Sequence, residues 1–200
     1  MNAPYSAEEE AQLLEIARQT LESVTHGKAR PVPEISALSP RLCEPCACFV
    51  TLYVGSELRG CTGTLTARRP LVDEVSLTTV QTAFNDPRFV AVRAEEVPHI
   101  RIEISVLTSP QPLHFDSPEA LVNALRPGID GVTLKYGTNR STFLPQVWEK
   151  VPDSVQFLTM LSRKMGMPGD AWRRPGIEVE TYQCVVIEEQ HAPAERLSPN

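Results

Sequence analysis

No apolar run in the 200 residues approaches the ~18 that a membrane-spanning helix requires. The opening residues, Met1 to Glu10, have neither a basic start nor an apolar stretch, so a secretory signal is not expected and the cytoplasm is the default location. No Gly-x-x-x-x-Gly-Lys-Ser/Thr run occurs, which removes a P-loop; Gly-x-Gly-x-x-Gly, His-Glu-x-x-His and Gly-x-Ser-x-Gly are missing as well. The four histidines (His26, His99, His114 and His191) stand singly, so neither a histidine-built metal centre nor a cofactor is expected. Positive charge is also short: 19 basic against 25 acidic residues gives a formal charge of −6. A chain without a cationic field does not attract phosphate backbones, so general nucleic-acid binding is not expected, while a local basic pocket stays open.

Hydrophobic residues make up 42% and charged residues 22%, the usage of an ordinary globular chain, and the length fits one domain. Proline is in excess, with 18 residues, so much of the chain lies in turns and short connections. The five cysteines are an odd number, which fits reduced thiols better than a disulfide framework. Three of them cluster at Cys43, Cys46 and Cys48, but a fourth ligand is missing from the local sequence, so stoichiometric zinc is not expected there.

Ser6 and Glu9 have capping-box spacing, and Leu13, Leu14, Ala17, Leu21 and Val24 follow at helical spacing, predicting a helix over Ser6 to Thr25. Residues 27–47 hold Gly27, Pro31, Pro33, Pro40 and Pro45 and read as an irregular crossing. Phe49 to Val54 and Leu58 to Leu65 flank Gly55-Ser56 and predict a hairpin. Val50, Leu52 and Val54 should face its core, with Phe49 and Thr51 turned away. A helix is expected from Pro70 to Phe84, stopped by Asn85-Asp86-Pro87. Arg101 to Leu107 alternates as a strand, with Glu103 on its polar face.

Ser117-Pro118 opens a short helix to Leu125, and Gly131 to Tyr136 with Arg140 to Leu144 predicts a second hairpin around Gly137-Thr138-Asn139. Asp153 and Gln156 open a helix towards Lys164, with Gly166 placed to end it. Ile177 to Glu188 reads as one closing strand, and residues 1–7 and 189–200 as flexible termini. Hairpins mixed with helices predict an α+β fold, an antiparallel sheet flanked by helices.

Four runs carry unusual chemistry. In Leu58-Arg59-Gly60-Cys61-Thr62-Gly63-Thr64-Leu65, glycines inside a strand mark a bulge or a close approach by backbone or ligand. Arg59 supplies a cation that could lower the Cys61 pKa; the plainer reading is a small buried thiol. In Asp86-Pro87-Arg88-Phe89 the aspartate can cap its own turn and pair with Arg88. Gly128-Ile-Asp130-Gly131 reads as a turn, and Thr142-Phe143-Leu144-Pro145-Gln146-Val147-Trp148 as a strand end packing two aromatics.

In their order along the chain, these runs, with Phe49-Val-Thr-Leu52 and Ile102-Glu-Ile-Ser-Val-Leu107, closely resemble the AMMECR domain, known in bacteria and archaea as AmmeMemoRadiSam system protein A. Arg163-Lys-Met-Gly166 and Asp170-Ala-Trp-Arg173 also fit. The resemblance implies one α+β domain over residues 8–188, built in two lobes. It implies a Memo-like protein and a radical-SAM protein as partners, and it carries no established reaction. Thr62 stands where isoleucine is common, Thr78-Thr79 where an Asn-Ala pair is common, and Ser162 where a cysteine is common.

Two functions follow as expectations. The first is a module that binds a small anionic ligand or a protein partner at a cleft made by Arg59, Gly60, Thr62, Gly63, Asp86 and Arg88, where an arginine fork reads a carboxylate or phosphate. The second is a hydrolase or isomerase with Cys61 as nucleophile and Glu103 or Asp86 as base. Under either reading Arg59, Cys61, Asp86, Arg88 and Glu103 are expected to converge, with Arg59 or Arg88 pairing Glu103.

Overall fold

The computed structural model describes residues 5–34 and 38–190. Helix α1 (Ala7–Thr25) begins at a complete capping box: the Glu9 amide donates to Ser6 Oγ at 3.2 Å, and the Ser6 amide donates to the Glu9 carboxylate at 2.9 Å. Strands β1 (Ala47–Val54) and β2 (Glu57–Gly63) form the expected hairpin, followed by α2 (Leu71–Phe84) and β3 (Ile100–Leu107). Then come β4 (Gln111–Pro112), α3 (Pro118–Ala124), β5 (Gly131–Tyr136), β6 (Asn139–Phe143), α4 (Ser154–Lys164), β7 (Glu178–Tyr182) and β8 (Cys184–Glu188).

The chain divides into two compact units, one running to Leu107 and resuming at Val185, the other spanning Thr108–Cys184. In the first, the sheet order is β2-β1-β3-β8, with β1 antiparallel to both β2 and β3. Val50 and Leu52 of β1 and Ile102 and Ile104 of β3 are buried in one core with Leu13, Ala17 and Leu21 of α1 and Leu71 and Val75 of α2. The expected register therefore holds for Val50 and Leu52. Val54, at the hairpin turn, is 38% exposed instead, and Thr51 is buried on the opposite face of the sheet.

The second unit has sheet order β4-β7-β5-β6. Its core gathers Val132 and Leu134 with Leu158 and Leu161 of α4, and stacks Trp148 on Phe157 at 3.7 Å. The Trp148 indole N–H donates to the Asp130 carbonyl at 2.7 Å, while the buried Asp130 carboxylate accepts from the Arg126 backbone and guanidinium. The run is a turn, as expected, and it is held by an ion pair between Arg126 and Asp130.

Residues 177–188 differ from the single closing strand expected. They form β7 and β8, which lie in different sheets. The break falls at Gln183, whose amide donates to Thr108 Oγ1 at 2.8 Å and whose carbonyl accepts the Thr108 amide at 2.9 Å. Continuous alternation in sequence does not reveal that two backbone bonds to a distant residue end one ladder.

The termini expected to be flexible fall mostly outside the described residues, but Tyr5 to Ala7, where Ser6 caps α1, and Glu189 and Gln190 are within them. Glu189 is tied down: its amide donates to Ile102 O at 3.0 Å, its carboxylate accepts the Ile102 amide at 2.8 Å, and Arg18 Nε donates to it at 2.9 Å.

At Gly131 a Cβ would overlap the ring of Tyr182, its partner across β5 and β7. Gly131→Ala should cost about 1–3 kcal/mol through this overpacking. Urea denaturation monitored by tryptophan fluorescence checks this; an unchanged midpoint would show that the ring is not fixed there.

Candidate functional site

The Arg59-Gly-Cys61 and Asp86-Pro-Arg88 runs meet at the outer edge of β2. The Asp86 carboxylate accepts the Cys61 amide at 2.9 Å, the Arg88 amide at 3.1 Å and the Arg88 guanidinium at 2.9 and 2.7 Å. Arg88 Nη2 also donates to the Cys61 carbonyl at 3.1 Å. Both backbone polar groups of Cys61 are thus taken by side chains from a turn 25 residues away. They point away from β1, which makes Thr51 and Cys61 a non-hydrogen-bonded pair with close side chains. The Thr51 hydroxyl accordingly donates to Cys61 Sγ at 3.3 Å. Glu103 stands opposite Thr51 on the far side of β1, so Cys61, Thr51 and Glu103 form one row across the sheet.

These contacts set the electrostatics. Arg88 holds the Asp86 carboxyl well below the usual carboxylate range, helped by the Cys61 amide and opposed by burial. The Cys61 thiol moves upward, chiefly by burial. The Thr51 hydrogen bond and Arg88 oppose this rise, while Asp86 and Glu103 add to it.

Arg59 lies elsewhere. The β1–β2 register pairs Leu52 with Gly60 and Tyr53 with Leu58, leaving Arg59 as the extra residue of a bulge. The bulge turns its side chain, 13% exposed, to Glu96, which it meets at 2.8 and 3.2 Å. Nη1 donates to the Val90 carbonyl at 3.0 Å and Nη2 to that of Ala91 at 3.3 Å. An anion cannot use a fork so engaged, and Arg59 does not join the Cys61 row with which it was expected to converge.

The other candidates take packing roles. A Cβ on Gly60 would press on the Thr82 side chain and carbonyl at 3.0 Å, and one on Gly63 would overlap the Phe49 ring and the Cys48 carbonyl. The close approach marked by the two glycines is therefore made by α2 and by β1. Thr62 Oγ1 lies 2.7 Å from Thr82 Oγ1, and because Thr82 donates to the Val50 carbonyl at 3.1 Å, Thr62 is the donor between them. Ser162, where a cysteine is common, accepts the Trp172 amide at 3.2 Å inside the second unit.

Among the described residues no group of three or more His, Cys, Asp or Glu side chains is placed to hold a metal, and no helix is long and apolar enough to cross a membrane. Burial raises the thiols of Cys46 and Cys48, which are poor thiolate ligands in that state.

The fold and the two docked runs define a class. The AMMECR1 family model matches residues 14–187. A protein of Methanothermobacter thermautotrophicus is 35% identical over 189 residues, covering 94% of this chain and 97% of its own length. A protein of Methanopyrus kandleri is 37% identical over 154 residues, covering 75% of this chain and 74% of its own. The crystal structure of uncharacterized protein PH0010 from Pyrococcus horikoshii aligns with a TM-score of 0.84 at 30% identity, over 93% of this chain and 94% of that one. The chain belongs to the AMMECR1 family.

Asp86 supplies a pH test. Its folded pKa is depressed, so its contribution to stability is fully present above the ordinary carboxylate value of about 4 and is lost as pH falls towards the folded value. Asp86→Asn should be less stable than wild type by about 1–3 kcal/mol at pH 7, and the gap should shrink below about pH 4. Chemical denaturation across that range checks it; a gap that stays constant to pH 2 contradicts the pairing.

Proposed function

We propose that this chain is a binding module without turnover of its own, whose contact surface is the Asp86 to Ala91 segment and whose reading group is Nη1 of Arg88. The observation that carries this is the way the two arginines are used. Arg59 is nearly enclosed, yet it holds the carbonyl of Val90, whose own side chain is 82% exposed. An apolar side chain held outward on a backbone fixed from beneath is preorganised for contact. Beside it, Arg88 is 54% exposed and keeps Nη1 clear of the contacts that Nε and Nη2 make, so a carboxylate or phosphate can be taken there.

The family resemblance supports a Memo-like protein as the partner bearing that acidic group, with a radical-SAM protein as a further member of the system. A free small anion would use the same nitrogen. The nucleophile reading, Cys61 with Glu103 as base, draws less support, because burial and two nearby carboxylates favour the neutral thiol.

Titration calorimetry of the purified chain against the Memo-like protein of the same organism tests the proposal. Val90→Asp and Arg88→Ala should each weaken binding by roughly tenfold or more. No binding by wild type, or binding unchanged in both variants, overturns it. Separately, iodoacetamide should alkylate Cys61 more slowly than a free thiol, with a midpoint shifted upward from that of an ordinary thiol. A midpoint below about 7.5 would restore the enzyme reading.

A further inference from the structure

The second unit holds a cavity of about 640 Å³ between the loop that leads into α3 and the Trp172 to Glu180 segment. The size suits a small organic ligand. Its walls are largely apolar: Leu113, Phe115, Ile177, Val179 and, at 1% exposure, Trp172. Trp172 and Arg173 belong to the Asp170-Ala-Trp-Arg173 run, which the β2 edge leaves unexplained.

Arg173 lies over the Trp172 ring with its guanidinium carbon 4.1 Å from the ring centre. Among the described residues its one ion pair, to Glu119, is long at 3.8 Å, beyond hydrogen-bond distance. Unlike Arg59, it is therefore held in place by stacking while its donor fork stays open, the arrangement that suits bidentate capture of a carboxylate. Two acidic side chains, Asp116 and Glu178, line the same cavity and make no hydrogen bond or ion pair among the described residues. The cavity thus offers the stacked, open guanidinium of Arg173, with Arg174 beside it on the lining, and open carboxylates around an apolar floor. A ligand of one sign leaves one of these unanswered; a zwitterion with an apolar body answers both.

We propose that this cavity binds a zwitterionic ligand of apolar body, an apolar amino acid or a short apolar peptide with free ends. The carboxylate is taken by Arg173 and the ammonium by Asp116 and Glu178. This site lies in a different unit from the β2 edge and does not depend on the function proposed there.

The dipeptide Leu-Phe, its N-acetyl form and its C-terminal amide are the probes, titrated into the whole chain with the Trp172 indole followed by NMR. Leu-Phe should bind saturably. Loss of either charge should weaken binding by roughly tenfold or more, the worth of one charge-assisted hydrogen bond. Arg173→Ala should weaken Leu-Phe to the level of the amide while leaving the amide unchanged, and the double variant Asp116→Asn, Glu178→Gln should act in the same way through the N-acetyl form. Circular dichroism confirms that both variants are folded, and Arg88→Ala should bind Leu-Phe as wild type does. Equal affinity for all three probes shows an unselective apolar cavity and overturns the proposal. So does tighter binding of the acetylated or amidated form, or the absence of saturable binding.

Discussion

One carboxylate organises the first sheet. An edge strand presents a row of backbone donors and acceptors that must be covered or left to pair with another chain. At the centre of β2 that requirement falls on Cys61, and Asp86 meets it on the donor side while Arg88 meets it on the acceptor side. Because the two side chains also bind each other, neither can leave without uncovering a charge. The remaining features follow from this arrangement: Cys61 pairs with Thr51 in the close register, burial pushes its thiol pKa up, and α2 ends where Asp86 can reach the strand. In the second unit Lys164, at the end of α4, similarly donates to the Thr142 carbonyl on the edge strand β6, at 2.9 Å.

The charged residues therefore divide by what is left of them. Arg59, Asp86 and Asp130 are enclosed and used up in holding turns and strand edges, although their motifs are the conspicuous ones in sequence. Arg88 is used on one side and open on the other, and Arg173 is fixed by stacking and a long ion pair to Glu119. Recognition is better served by the second kind, because a fixed group with open donors needs little ordering when a ligand arrives.

Local chemistry was legible in the sequence and non-local chemistry was not. The Ser6–Glu9 box, the Asp153 cap and the turn at Gly55 each depend on residues a few positions apart, and each lies where spacing placed it. The meeting of Cys61, Asp86 and Arg88 was legible only as convergence, since the direction of each bond depends on which side of the strand faces outward. The Arg59 bulge escaped because one extra residue on one strand leaves no mark in an alternating pattern. The division of residues 177–188 escaped because Thr108 lies 75 positions away. Trp172 and Arg173 were visible as a matched run, but their stacking and the cavity beside them come only from packing.

Amide hydrogen exchange at Cys61, measured on the whole chain by NMR, tests the central claim most directly. The cap requires this edge-strand amide to exchange as slowly as the paired amides of β1, and to lose that protection in Asp86→Ala while Val50 and Leu52 keep theirs. A Cys61 amide that exchanges in the wild type at the rate of an unpaired strand edge would contradict it.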